Sequence, residues 1–538
     1  MSVPDNATLA ERLEALAALY DLAGASTYSV RAYRRAAELI RATPAPVAEL
    51  VRQGRARELR GIGSSIEARL RELVETGRLA EIEELEAEVQ PELVGLARLA
   101  GLAPRRMVEL ARTLGVSTAD QLRAAAAAGR LREAAGIGPA TEAKVRAALE
   151  RPRTAPRRGL LLNRAWELVG GIADALGGTP AGDPRRFCDT SHHLAVVVPA
   201  AHPAPVLDRF AALPQVVAVV EREERRALGV TADGVPVELV VAPPGRFGAE
   251  LLRATGSNAY VEALGELPSG ATEAEVYERL GVPYLPPELR EAPFRGTPPR
   301  LLEREDVRGD LHVHTTWSDG KASVLEMAEA AIALGYEYLA ICDHTRNVRV
   351  VPGLDADDIR RQGEEIAAVN ERLAPFRVLR GSECDILDDG ALDLPDDVLA
   401  ELDWVQASVH AGQRQSADRL TKRTLAAVEH PAVRSISHPQ GRILNHRPPN
   451  AVGLDAVYAA CLETGTALET NGLPDRIDLS STHVRDAIRA GVRITCSTDA
   501  HSVRGLANMR LAVATARRGW ATAADVLNTR PLEDVLSR

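Results

Sequence analysis

DLHVHTTWSDG (310–320) places two histidines one residue apart at the end of a short apolar run, with an aspartate five residues beyond the second. Runs of the same kind recur in order as YLAICDH (338–344), RVLRGSE (377–383), WVQASVH (404–410), SISH (435–438), ALETN (467–471) and RITCSTDAH (493–501). Helical patterns fill the intervals, and regular alternation of strand and helix implies parallel βαβ units. In a β/α barrel, residues at the C-terminal ends of the strands build the active site. The spacing therefore predicts a C-terminal barrel with His, Asp and Glu converging at one mouth.

The residues at those ends are His312, His314, Asp319, His344, Glu383, His410, His438, Asp499 and His501. Imidazoles and carboxylates without a thiolate make a site of borderline hardness, suited to Mn²⁺, Zn²⁺ or Fe²⁺. Nine donors exceed what one ion accepts. With three or four protein ligands per ion and one bridging carboxylate, they suit three divalent ions. Sites of this kind stabilise attacking and leaving oxygens in phosphoryl transfer and acidify water, so hydrolysis of a phosphate ester is the expected chemistry. Isolated histidines are ordinarily core or surface residues, and His192, His202, His430, His446 and His483 read that way. HxH, DH, SVH, SHP and TDAH at successive strand ends do not.

The chain has 538 residues, of which 45% are hydrophobic and 26% charged, a globular composition long enough for several domains. Its formal charge of -10 hides an asymmetry. Residues 1–160 carry 25 Lys and Arg against 21 Asp and Glu, and the remainder 40 against 54. A mildly basic module thus precedes an acidic one, which favours phosphate-backbone contact at the N-terminal end. Nearly all the positive charge is arginine, suited to bidentate phosphate contacts; the lysines are Lys144, Lys321 and Lys422. Five scattered cysteines without CxxC spacing indicate neither a disulfide framework nor a zinc ribbon, and fit a reducing cytoplasm. Acidic residues near the N-terminus and the lack of a long apolar run argue against an ordinary signal peptide or a membrane span.

Residues 1–150 read as short amphipathic helices broken at three similar turns: LRGIGSSIEARL (59–70) with Gly61 and Gly63, ARLAGLAPRRMVEL (97–110) with Gly101, and AAGIGPATEAKVRAAL (134–149) with Gly136 and Gly138. Glycine lets the backbone approach closely, and amides at the next helix's N-terminus can accept a phosphate. These turns resemble the helix-hairpin-helix module, which grips the DNA backbone without reading sequence. RPRTAPRR (151–158) reads as a linker. HHLAVVVP (192–199) and VPVELVVAPP (235–244) then read as buried strands of an α/β domain over 159–300, closed by the Pro-rich YLPPELREAPFRGTPPR (284–300).

HVHTTWSDG, CDHT, GSECDIL, ASVH, SHPQGR and STDAHS, in this order, resemble the signature of the PHP (polymerase and histidinol phosphatase) family. The resemblance implies a distorted (β/α)7 barrel over 305–538. Carried over, it assigns His312, His314, Glu383 and Asp499 to one metal, Glu383, His410 and His438 to a second, and Asp319, His344 and His501 to a third. Arg442 and Arg476 are its candidates to grip substrate phosphate. The whole chain, through TEAEVYERLGVPYLPPELRE (272–291), resembles the bacterial family X DNA polymerases that end in a PHP domain. That resemblance implies a nucleotidyltransferase-like palm and thumb for the middle domain, with paired aspartates on one strand and a third carboxylate on its neighbour, holding two Mg²⁺.

Here the chain departs from the pattern. AGDPRRFCDTSHHLAVVV (181–198) places His193 and Ala195 where the aspartates belong, and Glu238 at the third carboxylate. Alanine offers no ligand, and imidazole is a poor one for Mg²⁺. Asp183 stands at a turn serine, and Arg253 and Ala254 replace the usual Tyr-Phe before Thr255, Gly256 and Ser257. A shifted alignment using Asp189 has no Asp-x-Asp to support it. The expected middle domain is a degenerate polymerase retained as a DNA-binding scaffold.

Two classes of function follow. One is a metal-dependent nuclease removing nucleotides from 3′ ends of gapped or broken DNA in repair. The other is a small-molecule phosphatase of histidinol-phosphate type with an N-terminal interaction module. Neither implies a membrane, and protein partners are not specified.

Overall fold

The computed structural model describes residues 4–22, 27–43, 45–59, 61–82, 104–150, 159–294, 296–348 and 351–537, with residues 85, 96, 100 and 102 between them. Helices Asn6–Leu22 and Thr27–Ala42 pack together. Leu9, Leu13, Leu16, Val30, Ala37 and Ile40 join Val51, Ile66, Leu70 and Leu73 in one apolar core. A second, separate core, with Met107, Leu110, Leu122, Leu131 and Val145, underlies the helices from Pro104 to Glu150. Each cluster is small, as short helices with one apolar stripe require.

Two of the three glycine turns are described. Gly61, at φ +117°, adopts a backbone closed to most L-residues, and Gly63 caps helix Ser64–Thr76 without a side-chain bond. Ser64 and Ser65 are exposed, so the first amides of that helix face outward. Gly136, at φ +79°, and Gly138 precede helix Pro139–Glu150 in the same way. Gly101 and the linker 151–158 lie outside the described residues.

The middle region begins with β1 (Leu160–Leu161), paired with β3 (Thr190–Ser191). Strands β2 (Thr179–Ala181), β4 (Leu194–Pro199), β5 (Val216–Arg222), β6 (Arg226–Thr231) and β7 (Pro236–Ala242) form a sheet of order β2-β4-β7-β6-β5. Only β4 and β7 run parallel. Both faces of the sheet are covered, which explains why LAVVV reads as an unbroken apolar run. Val196, Val198, Leu239 and Val241 pack on helix Leu162–Leu176, while Ala195, Val197 and Val240 pack on Leu251 of helix Phe247–Thr255. A small helical unit around Tyr260, Val276 and Tyr277 follows.

Each of the seven apolar runs of the last region is a strand: β8 (Gly309–Val313), β9 (Tyr338–Ile341), β10 (Arg377–Asp385), β11 (Trp404–Ser408), β12 (Val433–Ile436), β13 (Ala467–Asn471) and β14 (Ile494–Ser497). They form one parallel sheet in sequence order. Its ends meet where Val313 bridges Ala500, His314 N–H donates to the Ala500 carbonyl at 2.9 Å and Asp499 N–H to that of His312 at 2.9 Å. The result is a nearly closed seven-stranded barrel, ringed by helices such as Val324–Ala333, Ala356–Leu373, Ala417–Glu429 and Met509–Arg518. No described helix is long and apolar enough to cross a membrane.

Candidate metal centre

All nine candidate residues stand at the C-terminal mouth of the barrel. Side chains two apart on a strand share a face, so β8 sends His312 inward and His314 follows it. The loop beyond turns back to present Asp319, which requires Gly320: a Cβ there would lie 2.7 Å from the His314 backbone. Glu383 is on β10 itself, while His344, His410, His438 and Asp499 lie just past the ends of β9, β11, β12 and β14. His438 (φ +27°) and Asp499 (φ +52°) hold left-handed backbone that non-glycine residues seldom adopt outside functional sites.

Glu383 is the hub. Its Oε2 lies 2.9 Å from His344 Nδ1, 3.6 Å from His312 Nε2 and 3.7 Å from His314 Nε2. Its Oε1 lies 2.8 Å from His438 Nε2 and 3.4 Å from His410 Nε2. Asp499 Oδ1 is 3.0 Å from His314 Nε2, and Asp319 Oδ2 is 3.3 Å from His501 Nε2. Three groups have ligand atoms all within 4.8 Å of one another: His312, His314 and Asp499; His344, Glu383 and His410; and His314, Asp319, His344 and His501. The first is one expected set without Glu383, and the last is another with His314 added. In the middle group His344 stands where His438 was expected, although His438 touches the same carboxylate.

The donor set fits divalent cations. Glu383 Oε2, His314 Nδ1 and His344 Nδ1 are buried yet make no hydrogen bond, so they converge on shared space without satisfying one another. The electrostatics agree. Burial opposes ionisation of Glu383, but His410, His344 and His312 outweigh it and hold the carboxyl well below the usual range. Burial likewise disfavours the His410 imidazolium, yet Glu383 and Asp385 push His410 up to about 9. Deeply buried His314, facing His501 and His344, is pushed down to about 4. The pocket is anionic and draws positive charge to itself.

Around this set lies a second tier of polar residues that the sequence reading did not single out. Glu469 on β13 accepts from His312 Nδ1 (2.7 Å), Gln406 Nε2 (2.8 Å) and, through Oε2, the His438 amide (2.7 Å). Asp343 accepts from the Thr315 amide, its hydroxyl and Gln362, anchoring the loop that carries Asp319. Asp385 holds the His410 amide at 3.0 Å, and Asp310 ties β8 to the Thr498 hydroxyl. Such partners fix ring orientation and tautomer. Their signal was acids inside otherwise apolar strand runs.

The two arginines differ. Arg476 Nε lies 3.8 Å from Asp499 Oδ2, facing the cluster. Arg442 is committed elsewhere: its guanidinium donates to the Ile477 carbonyl and pairs with Asp189 Oδ2 at 2.7 Å, bracing the barrel against the middle region. Asp189 is thereby engaged as well. In the middle sheet, Ala195 lies opposite Glu238 in register, and His193 Nε2 is 3.7 Å from Glu238. Arg226 occupies Glu238 at 3.3 Å and Glu250 at 3.3 Å. Arg185 is taken by Thr255 (2.7 Å) and bidentately by Glu273, and Arg186 by Asp183 and Glu291.

A parallel barrel with this mouth defines a PHP domain, and the model of the PHP domain family matches residues 310–440. That of the helix-hairpin-helix domain matches residues 4–79. Over 97% of both chains, the sequence is 33% identical to the DNA polymerase/3′-5′ exonuclease PolX of Bacillus subtilis strain 168. The chain belongs to the bacterial family X DNA polymerases that end in a PHP domain. It is also similar to proteins described as "probable phosphatase": one of Acetivibrio thermocellus, 30% identical over 36% of this chain and 78% of that one, and one of Thermoanaerobacter, 28% identical over 41% and 89%.

Proposed function

We propose that the chain is a metal-dependent 3′–5′ exonuclease that trims DNA ends in repair, in the cytoplasm, and that its polymerase function has been lost. The observation that carries the reading is the completeness of the donor set at the barrel mouth, set against the ruined one in the middle sheet. His312, His314, Glu383 and Asp499 would hold one divalent ion, Glu383, His410 and His438 a second, and Asp319, His344 and His501 a third, of Mn²⁺, Zn²⁺ or Fe²⁺. Bound there, such ions supply Lewis-acid charge to phosphoryl oxygens and acidify nearby water. Glu469, Asp343 and Asp385 fix the donors before substrate arrives, and Arg476 reaches toward Asp499 where a phosphate oxygen needs a cation. Gly61, Gly63, Gly101, Gly136 and Gly138 would give backbone amides to DNA phosphates, a contact indifferent to sequence.

Loss of synthesis is supported by His193 and Ala195 in place of paired carboxylates, and by Arg226, which already neutralises Glu238. The small-molecule phosphatase remains the second reading, favoured by the likeness to probable phosphatases. The test gives purified protein Mn²⁺ with primer-template labelled at either end, and separately a histidinol-phosphate-type monoester. Shortening from the 3′ end, abolished by His344→Ala, supports the nuclease. Intact DNA with rapid monoester turnover refutes it.

A further inference from the structure

A cleft of about 1040 Å³ lies where the N-terminal helices, the middle region and the barrel meet. None of the nine donors lines it, but Lys321 and Ser502, which do, stand beside Asp319 and His501 in the chain. Lys321 lines it, follows directly on the Asp319 loop and donates its amide to the His501 carbonyl at 2.8 Å. Asp319 and His501, at 23% and 30%, are also the most exposed of the nine donors. The cleft therefore opens on the accessible side of the cluster. Its size exceeds the roughly 300–1,000 Å³ typical of small-molecule sites.

Charge is segregated between its walls. On the side of the middle region and N-terminal helices, two arginines pair with three acids, Glu14, Glu167 and Asp233, and with exposed Glu38 that wall stays net acidic. Arg164 pairs with Glu14 (3.0 Å), Glu167 (3.0 Å) and Asp233 (3.1 Å), and Arg41 with Glu14 and Glu167. On the barrel side, Lys321, Arg504 and Arg510 are exposed and make no ion pair among the described residues, Arg504 donating instead to the Arg41 carbonyl at 2.9 Å. Between the walls stands Trp166, its indole N–H fixed on the Pro184 carbonyl (2.8 Å) and its edge on Phe187. The Arg510 guanidinium lies 5.6 Å from its ring centre. Cations free of carboxylate partners, one of them beside a rigid aromatic ring, are what a single strand uses: charge for the backbone and a platform for a base.

The geometry points to a single strand of nucleic acid as the occupant of this cleft, running past Trp166, Arg510 and Arg504 to Lys321 and the Asp319–His501 edge of the metal centre. The assignment deepens the exonuclease reading and rests on it: the cleft delivers the terminal phosphodiester.

The test compares wild type with Arg504→Glu/Arg510→Glu on single-stranded DNA and on bis(p-nitrophenyl) phosphate, with Mn²⁺. Each phosphate contact on a single strand contributes about 0.7 to the salt slope, so the variant's slope for DNA should flatten by about 1.4, with KM raised about tenfold or more. Turnover of the small diester should stay at the wild-type level. Unchanged KM and salt slope on DNA overturn the cleft while leaving the nuclease reading intact. Failure of the wild type to cut DNA, with diester turnover retained, sinks the nuclease reading. Should the variant lose both activities through misfolding, a photo-cross-link decides: wild-type protein with DNA carrying 5-iodouracil near its 3′ end should label Trp166 or its neighbours. Labelling only on the outer surface, or binding of an acidic peptide instead of DNA, overturns the assignment.

Discussion

Glu469→Gln isolates the contribution of the residues behind the metal donors. Glu469 accepts four donors: His312 Nδ1, Gln406 Nε2, the His438 amide and, at 3.3 Å, Asn471 Nδ2. A glutamine of the same shape keeps one oxygen, so its amide N–H must point either at His312 and Gln406 or at the His438 amide and Asn471. Two buried donors are then left facing the new amide, each at a cost of about 1–3 kcal/mol. The lost charge also weakens His312 as a ligand, and such outer partners typically contribute 10- to 100-fold in affinity, about 1.4–2.7 kcal/mol. Mn²⁺ affinity in chelator-buffered titrations should fall by one to two orders of magnitude, with diester turnover reduced and then partly restored by excess Mn²⁺. Glu469→Ala strands all four donors, and the metal-free protein should melt well below wild type. Wild-type Mn²⁺ affinity and turnover in Glu469→Gln would refute the positioning role.

Primer extension by His344→Ala with Mg²⁺ and dNTPs should be undetectable, because no paired carboxylates remain to hold the nucleotide's metals; robust templated synthesis would mean that His193 and Ala195 were misaligned. Burial raises the Glu11 carboxyl to about 7 against the opposing charges of Arg164 and Arg41. A carboxyl held above its unfolded value stabilises the fold only while protonated, so stability is lost as pH rises from about 4.3 to about 7. Glu11→Gln should therefore match wild type near pH 4 and gain up to about 3 kcal/mol at pH 8 by urea unfolding, and an equal gain at both pH values would contradict this. Glu273 pairs with Arg185 and with fully buried Arg290, so Glu273→Ala should cost about 3–5 kcal/mol in the same assay by leaving a buried charge unpaired, whereas a neutral effect would show the pair to be solvated.

The barrel was legible because a parallel strand covered on both faces must be a short unbroken apolar run, and seven such runs with polar ends leave few alternative topologies. The nine donors were legible because imidazoles and carboxylates at strand ends serve no packing purpose. Glu469 and Asp343 escaped for a related reason: a single acid within a strand differs little from a residue at a frayed end, and only the fold reveals that each anchors several donors. Arg442 looked equivalent to Arg476 in sequence. Its commitment to Asp189, over 250 positions earlier, depends on how two modules dock, which no local pattern encodes. In the middle region, β4 and β7 were readable from their apolar faces, whereas the capture of Glu238 by Arg226 depends on cross-strand register.

The bonds behind the metal donors also carry a kinetic consequence. His312 and Glu469 are 157 residues apart, Gln406 and Glu469 are 63, and Asp310 and Thr498 are 188. Contacts of such span close only after large loops have been ordered, so the barrel should form slowly and in one step. During synthesis the strands emerge carrying buried acids and imidazoles whose partners have not yet been made. The segment that closes the ring, from Ile494 to Ala500, is translated after every other strand of the barrel, and a ribosome-bound chain stalled before it would hold Asp310 and His312 without Thr498 or Asp499. The site therefore cannot be preassembled by any N-terminal fragment: the full donor set should come together all at once, when the last strand docks.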